Sequence, residues 1–173
     1  GTYTYPAKFM LIAAMNPCKC GYYPDRQRCN CSDAQVRNYL GKISRPILDR
    51  IDLCVEASEI KYQDLLGNKK GEKSKTIRER VKQARIIQKE RYGREKIKYN
   101  GELSAKQVEE FCILGKRERI LMGKVFEKLE LTARSYHRIL KVARTIADLD
   151  CEENIQERHL NEAICYRGLD KKY

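Results

Sequence analysis

The sequence predicts an α/β piece, with parallel-sheet strands and a four-cysteine knuckle, followed by an all-α helical bundle. Residues 9–15 form a continuously apolar run, which is typical of a strand covered on both faces inside a parallel sheet. Four cysteines follow this run within fourteen residues, in two Cys-x-Cys pairs. From residue 76 onward, apolar side chains recur at helical spacing and capping residues precede them.

Two short helices and a second strand are predicted after the knuckle. Ser32 and Gln35 form a capping-box pattern that opens the first helix. Pro46 suits the first turn of the next helix, because its missing N–H is one of the donors left unpaired there. Residues 51–57 alternate apolar and polar side chains, as a second strand does. These elements make up a first domain, residues 1–60.

A helical bundle is predicted over residues 76–173, beyond a connecting segment at residues 61–75 that breaks the periodicity. Lys141 and Arg144 fall on the expected solvent face of its fourth helix. The expected helices cover residues 76–93, a stretch from 104, a stretch from 116, residues 133–149 and residues 155–167.

The composition favours a partner that carries negative charge. The 173 residues have a formal net charge of +12, which favours polyanions such as nucleic acid or nucleotide phosphate. Glutamates are interspersed with the basic residues over 78–98, so an ordinary exposed helix face is the alternative. No apolar run approaches the roughly 20 residues that span a bilayer. We therefore expect a cytoplasmic protein without a membrane partner.

The four cysteines have the composition of a metal site. Cys18, Cys20, Cys29 and Cys31 could close a tetrahedral all-thiolate zinc site, with residues 21–28 as the hairpin between the two pairs. One intervening residue is fewer than the usual two, and disulfides or free thiols are the alternatives. A complete set of protein ligands leaves no open coordination position, so such a zinc ion would be structural.

Three polar residues stand where a phosphate could be contacted. Asn16 ends the apolar run, where an amide could face a phosphate or a polarised water; the alternative is a simple Asn-Pro turn. Arg50 follows a proline-initiated turn and precedes the second predicted strand, so its guanidinium could project from a rigid corner. The alternative for Arg50 is a surface pair with Asp49 or Asp52.

Arg134 is the third of these residues. It falls in the first turn of the fourth bundle helix, directly after the capping residue Thr132. A cation is unfavourable at this end of the helix dipole, and a bound phosphate would remedy the mismatch. Arg138 follows one turn later and could assist.

The motifs, taken in order, resemble those of the magnesium-chelatase-like AAA+ ATPases, a family that includes a bacterial competence protein associated with DNA branch migration. The similar segments are residues 13–22, 29–32, 48–52 and 132–149, and the resemblance covers almost the whole chain. It implies that residues 1–60 are the C-terminal part of an AAA+ core and that the bundle is its lid.

The resemblance also implies roles for individual residues. Asn16 would be sensor 1, Arg50 the arginine finger that reaches a neighbouring subunit's nucleotide, and Arg134 sensor 2, with Arg138 beside it. The cofactors would be ATP and Mg²⁺. The sequence contains neither a Gly-x-x-x-x-Gly-Lys-Ser/Thr loop nor an acidic strand end, and the resemblance places both before Gly1. We expect this chain alone not to hydrolyse ATP.

The implied function is that of a ring-forming, DNA-associated motor of the branch-migration or helicase type, assembled as a homo-oligomer and usually a hexamer in such families. Two alternatives stay open. One is a chelatase-type motor that remodels a protein partner. The other is a non-enzymatic, zinc-containing basic module that binds nucleic acid.

Overall fold

A computed structural model describes residues 1–5, 7, 9–57, 60, 62, 71–93 and 96–167. Its chain divides into two compact units, Gly1–Arg45 and Pro46–Lys172. The regular structure of the described residues is helical throughout, with seven α-helices and one short 3₁₀ turn.

The predicted parallel sheet is wrong. Residues 9–15 adopt no strand structure, and the side chains of Phe9 and Ile12 are 75% and 81% exposed. Residues 51–57 form no strand either, and Val55 is 71% exposed. The only β-type pairing in the described part of the chain is an isolated bridge in the bundle. A strand depends on ladder hydrogen bonds to a neighbour, and an apolar pattern does not supply that neighbour.

The first unit is organised around the knuckle and helix α1, Asp33–Leu40. The predicted capping box is confirmed, because the Ser32 hydroxyl accepts a hydrogen bond from the backbone N–H of Gln35 and the Gln35 side chain accepts one from that of Ser32. Val36 and Leu40 face inward from α1 and are buried together with Cys18 and Cys29. The core of this unit is therefore small and half of its buried residues are cysteines.

The second unit contains the helices of the predicted all-α bundle. Helix α2, Arg45–Leu48, carries Pro46 in its first turn as expected and leads into the unit. The 3₁₀ turn spans Asn100–Glu102. The other helices are α3, Ser74–Tyr92; α4, Ala105–Phe111; α5, Lys116–Lys128; α6, Ala133–Leu149; and α7, Glu157–Cys165.

Helix α3 begins earlier than the sequence indicates. The sequence predicts a start at residue 76, but the helix begins at Ser74 and its cap is Lys73, which makes no side-chain capping bond. Of the predicted connection 61–75, residue 61 and residues 63–70 lie outside the described residues. The domain boundary placed there stays a prediction.

Helix α6 lies at the centre of the bundle and packs against α3, α4, α7 and the 3₁₀ turn. Its inward stripe includes Ile139, Leu140, Ala143 and Ala147, all buried, in the i, i+3, i+4, i+7 pattern that the sequence predicts. No helix in the described ranges is long and apolar enough to cross a membrane.

Candidate functional site

The knuckle brings its four cysteines together. The Sγ atoms of Cys18, Cys20, Cys29 and Cys31 all lie within 4.8 Å of one another. Four of the six Sγ–Sγ separations run from 3.3 Å for Cys18 and Cys20 to 3.8 Å for Cys18 and Cys29. These distances are far longer than the roughly 2.05 Å of a disulfide, and all four thiols are free. The cluster could therefore hold a metal ion.

Backbone hydrogen bonds shape the hairpin between the two cysteine pairs. The N–H of Gly21 donates to the carbonyl of Cys18 at 3.1 Å, and Gly21 has a φ of +85°, which favours glycine. The N–H of Cys29 donates to the carbonyl of Asp25 at 2.8 Å, and the Asp25 carboxylate accepts from Arg28 Nε at 2.7 Å. The hairpin thus fixes the two pairs opposite each other.

The four thiols cannot all ionise easily in this arrangement. Burial opposes ionisation of Cys18, but hydrogen bonds from the backbone at Tyr23 and from neighbouring thiols lower its pKa to about 6. At Cys29 a backbone hydrogen bond at Cys31 favours the thiolate, yet burial and the neighbouring thiols outweigh it and raise the pKa to about 11. A bound cation would stabilise all four thiolates at once, and four thiolates are a donor set that zinc accepts.

A second group of candidate residues lies at the start of α6. Thr132 caps this helix as predicted, because its hydroxyl accepts a hydrogen bond from the backbone N–H of Ser135 at 3.1 Å. Arg134 is consequently in the first turn, and its side chain is exposed. A guanidinium held there meets the partial positive charge of the helix N-terminus.

Asp49 ties the segment that carries Arg50 to the same end of α6. Its Oδ1 atom accepts from the Ser135 hydroxyl at 3.3 Å and from Arg167 Nη2 at 3.3 Å. Arg167 Nη2 also donates to the Ser135 hydroxyl at 3.2 Å, so the three side chains form a closed triangle. Arg50 follows Asp49 and Arg134 precedes Ser135, so both arginines are adjacent in sequence to members of this partly buried triangle.

The Arg50 side chain is directed away from the neighbouring carboxylates. Its Nη1 atom donates to the carbonyl of Pro46 at 2.7 Å, which closes the turn of α2, and the side chain is exposed. Asp49 instead contacts Ser135 and Arg167, and Asp52 faces Arg138. Within the described residues, Arg50 thus makes neither of the surface pairs that the sequence left open.

Arg138 contributes a second cation near Arg134. Its Nε atom lies 3.6 Å from Asp52 Oδ1, and its Nη1 atom is buried without a hydrogen-bond partner among the residues described. Burial lowers the pKa of Arg138, and the charges of Arg167 and Arg134 act in the same direction. The site is therefore rich in positive charge, as an anion-binding site requires.

Asn16 belongs to the first unit, whereas Arg50, Arg134 and Arg138 belong to the second. The Asn16 side chain is exposed beside the knuckle, with its amide close to Gly21. The structure thus brings three of the four sequence-predicted phosphate contacts into one unit.

Sequence reasoning missed Ser135 and Arg167. No local pattern marks Arg167, because its role depends on a contact with a residue 118 positions away.

A buried ion pair joins α3 to the C-terminal end of α6. Asp148 is fully buried, and its carboxylate accepts hydrogen bonds from Arg91, from Asn100 Nδ2 at 2.8 Å and from Arg144 Nε at 3.0 Å. Arg144 also donates to the carbonyls of Glu152 and Glu153. The expected solvent-facing position of Arg144 is therefore wrong. The apolar pattern of the helix does not predict that a charged side chain can be buried when each of its nitrogens has a hydrogen-bond partner.

Both parts of the chain match models of one protein family. The model for magnesium chelatase, subunit ChlI, matches residues 1–65, and the model for the C-terminal region of the same subunit matches residues 71–167. A four-cysteine knuckle and a helical bundle are thus parts of a chelatase-type protein. The chain belongs to the magnesium chelatase subunit ChlI family.

Curated relatives agree with this assignment. The competence protein ComM of Haemophilus influenzae is 42% identical over 166 residues, which cover 95% of this chain and 32% of that protein. The uncharacterized protein YifB of Salmonella typhimurium is 38% identical over 170 residues, and YifB of Escherichia coli has the same identity over the same length. The chain spans about a third of the length of these relatives and corresponds to a C-terminal portion.

Proposed function

We propose that this chain is the nucleotide-sensing, C-terminal part of an AAA+ ATPase that moves DNA. In this proposal Asn16 acts as sensor 1, Arg50 as the arginine finger and Arg134 as sensor 2. Family membership supports the ATPase class, and the similarity to a competence protein supports a role on DNA. The observation that carries the proposal is the Asp49–Ser135–Arg167 contact, which fixes the segment of Arg50 to the start of α6.

Arg134 and Arg138 would bind the phosphates of ATP from the lid. The first turn of α6 offers backbone N–H groups and a positive dipole end, and Arg134 adds a full charge to them. Arg138, one turn later, has a buried Nη1 atom that a phosphate oxygen or an intervening water could satisfy. Mg²⁺ would accompany ATP and neutralise part of the phosphate charge.

Arg50 would act on the nucleotide of a neighbouring subunit. A guanidinium group is always charged and forks to contact two oxygens, so it suits the charge that develops on a γ-phosphate. The turn of α2 holds the Arg50 side chain at an exposed corner. This role requires a ring of subunits, which we propose to be a hexamer.

The Asp49 contact would couple the two events. If α6 shifts when its phosphate leaves, the hydrogen bonds from Ser135 and Arg167 to Asp49 transmit the shift to the next residue, Arg50. Loss of nucleotide at one site would then reposition the finger at the adjacent site. Such a relay gives sequential hydrolysis around a ring, which a motor on DNA in the cytoplasm needs.

We further propose that the knuckle holds a structural Zn²⁺ ion. The Sγ atoms of Cys18, Cys20, Cys29 and Cys31 form a complete four-ligand set on two backbone segments. The ion would cross-link these two segments. Its role would be structural, because no coordination position remains for a substrate.

The test is Arg50→Ala in the full-length protein. ATP hydrolysis should fall by about 10³-fold or more, the range for arginine fingers, while ATP binding stays unchanged. Arg50→Lys should fail as well, because an ammonium group lacks the planar fork. Arg117→Ala, an exposed arginine on α5, is the matched control. Wild-type hydrolysis by Arg50→Ala would refute the finger assignment.

A chelatase-type motor that acts on a protein is the second candidate, favoured by the family to which the chain belongs. The two differ in what stimulates the enzyme. Stimulation of ATP hydrolysis by added duplex DNA supports the DNA motor. Hydrolysis that is indifferent to DNA supports the protein-remodelling candidate.

A further inference from the structure

Helix α3 carries an uninterrupted row of basic side chains along one exposed edge. The helix contains seven basic residues and two acidic ones. Five of the basic residues follow one another at intervals of three and four positions, which places them on a single face. We call these five the basic row: Lys75, Arg78, Lys82, Arg85 and Lys89.

The basic row lies on the side of α3 that is not used for packing. Ala84, Gln88 and Tyr92 are the buried residues of this helix, and they recur on the face that packs against α6. All five members of the row are exposed. With a rise of about 1.5 Å per residue, the row extends over about 21 Å.

The arginines outside the row are engaged in ion pairs, and most members of the row are not. Arg80 contacts the carboxylate of Glu72 at 2.7 Å, and Arg91 is bound to Asp148. Within the row, Lys82 pairs with Glu79 at 2.9 Å, whereas the other four form no ion pair with the described residues. Like charges at this spacing repel one another and destabilise a helix.

We propose that the basic row binds the phosphate backbone of double-stranded DNA. A straight row of cations complements the regularly spaced phosphates of a rigid duplex and makes sequence-independent contacts. Single-strand sites combine positive charge with aromatic rings on which bases stack. The aromatic ring that contacts the row, Tyr99, has the Arg85 guanidinium over its face at 5.1 Å.

This inference deepens the proposed function, because it assigns the DNA contact to the helical bundle and not to the nucleotide site. The row shares no residue with the proposed nucleotide contacts, which are Asn16, Arg50, Arg134 and Arg138. A binding assay without nucleotide therefore tests the row separately from the finger. If duplex binding does not depend on the row, the Arg50→Ala result stands unaffected, and the reverse also holds.

The experiment measures fluorescence anisotropy of a labelled 24-base-pair duplex with the 173-residue chain, from about 50 to about 200 mM salt. The test variant is Lys75→Gln, Arg78→Gln and Lys82→Gln together. The matched control changes two lysines and one arginine on α5: Lys116→Gln, Arg117→Gln and Lys124→Gln. All six side chains are exposed and glutamine is a good helix former, so circular dichroism should be unchanged.

The row variant should bind roughly a hundredfold more weakly at about 100 mM salt, and its log–log salt slope should fall by about 2.7, or about 0.9 for each lost phosphate contact. The control should bind like the parent chain. Equal weakening of the two variants, or none in the row variant, overturns the proposal. Tighter binding to a single strand with the same number of phosphates overturns the choice of duplex.

Discussion

At the scale of single residues, Arg134 has a charge that is unfavourable at its position unless an anion is bound. It stands in the first turn of α6, where the helix dipole opposes a cation. Arg134→Ala should therefore leave the free energy of unfolding unchanged or raise it by about 0.3–1 kcal/mol. In the full-length protein the same change should weaken ATP binding about tenfold or more, since a charged hydrogen bond to phosphate contributes about 1.5–3 kcal/mol.

Two measurements separate these effects. Thermal unfolding without nucleotide measures how the Arg134 charge at the helix N-terminus affects stability. Equilibrium binding of a fluorescent ATP analogue measures the contact between Arg134 and phosphate. Lys128→Ala, which removes an exposed cation from the opposite end of a helix, is the control and should destabilise slightly. Unchanged nucleotide affinity in Arg134→Ala would exclude the sensor role.

Asp148 is the residue on which the stability of the bundle depends most directly. It is fully buried and neutralised by Arg91 and Arg144, while Asn100 donates a further hydrogen bond. Asp148→Ala leaves two cations without their partner, so the free energy of unfolding should fall by about 3–5 kcal/mol. Denaturant unfolding measures this, with the exposed Glu127→Ala as a control expected within about 0.5 kcal/mol. A loss below about 1 kcal/mol would show that the pair is dispensable.

At the scale of elements, the sequence predicted the helices because their signals are local. The Ser32 and Thr132 caps and the apolar stripe of α6 each depend on residues within one or two turns. The strands were wrong because a strand needs a partner that local pattern cannot provide. The triangle of Asp49, Ser135 and Arg167 escaped prediction for the same reason, since its members are far apart in the chain.

The cap of α6 is a testable element-scale feature. Thr132 satisfies the N–H of Ser135, and its hydroxyl lies 3.1 Å from the Ser135 hydroxyl, which in turn contacts Asp49. Thr132→Ala should cost about 1 kcal/mol of stability. Thr132→Ser keeps the capping oxygen and should recover most of it. Urea unfolding of the two variants decides this, and equal losses would mean that the methyl group, not the cap, matters.

At the scale of the whole molecule, the two units differ in what stabilises them. The second unit buries a cluster of fourteen apolar side chains drawn from its helices and from the segments between them. Among the described residues of the first unit, the buried cluster consists of Cys18, Cys29, Val36 and Leu40. A core this small does not stabilise a fold by itself, so small domains depend on metals or disulfides. Because the thiols of this unit are free, the proposed zinc ion is what would hold it together.

Removal of zinc should therefore unfold the first unit and leave the bundle intact. With a strong chelator, amide hydrogen exchange should become fast throughout α1 and the knuckle, whereas α6 should keep its protection. Cys29→Ser should reproduce this loss and lower the bound zinc per chain, while Cys112→Ser, a buried cysteine of the bundle, should leave zinc content unchanged. If α1 stays protected after the metal is removed, the knuckle is stable through its hydrogen bonds alone, and the structural role proposed for zinc is wrong.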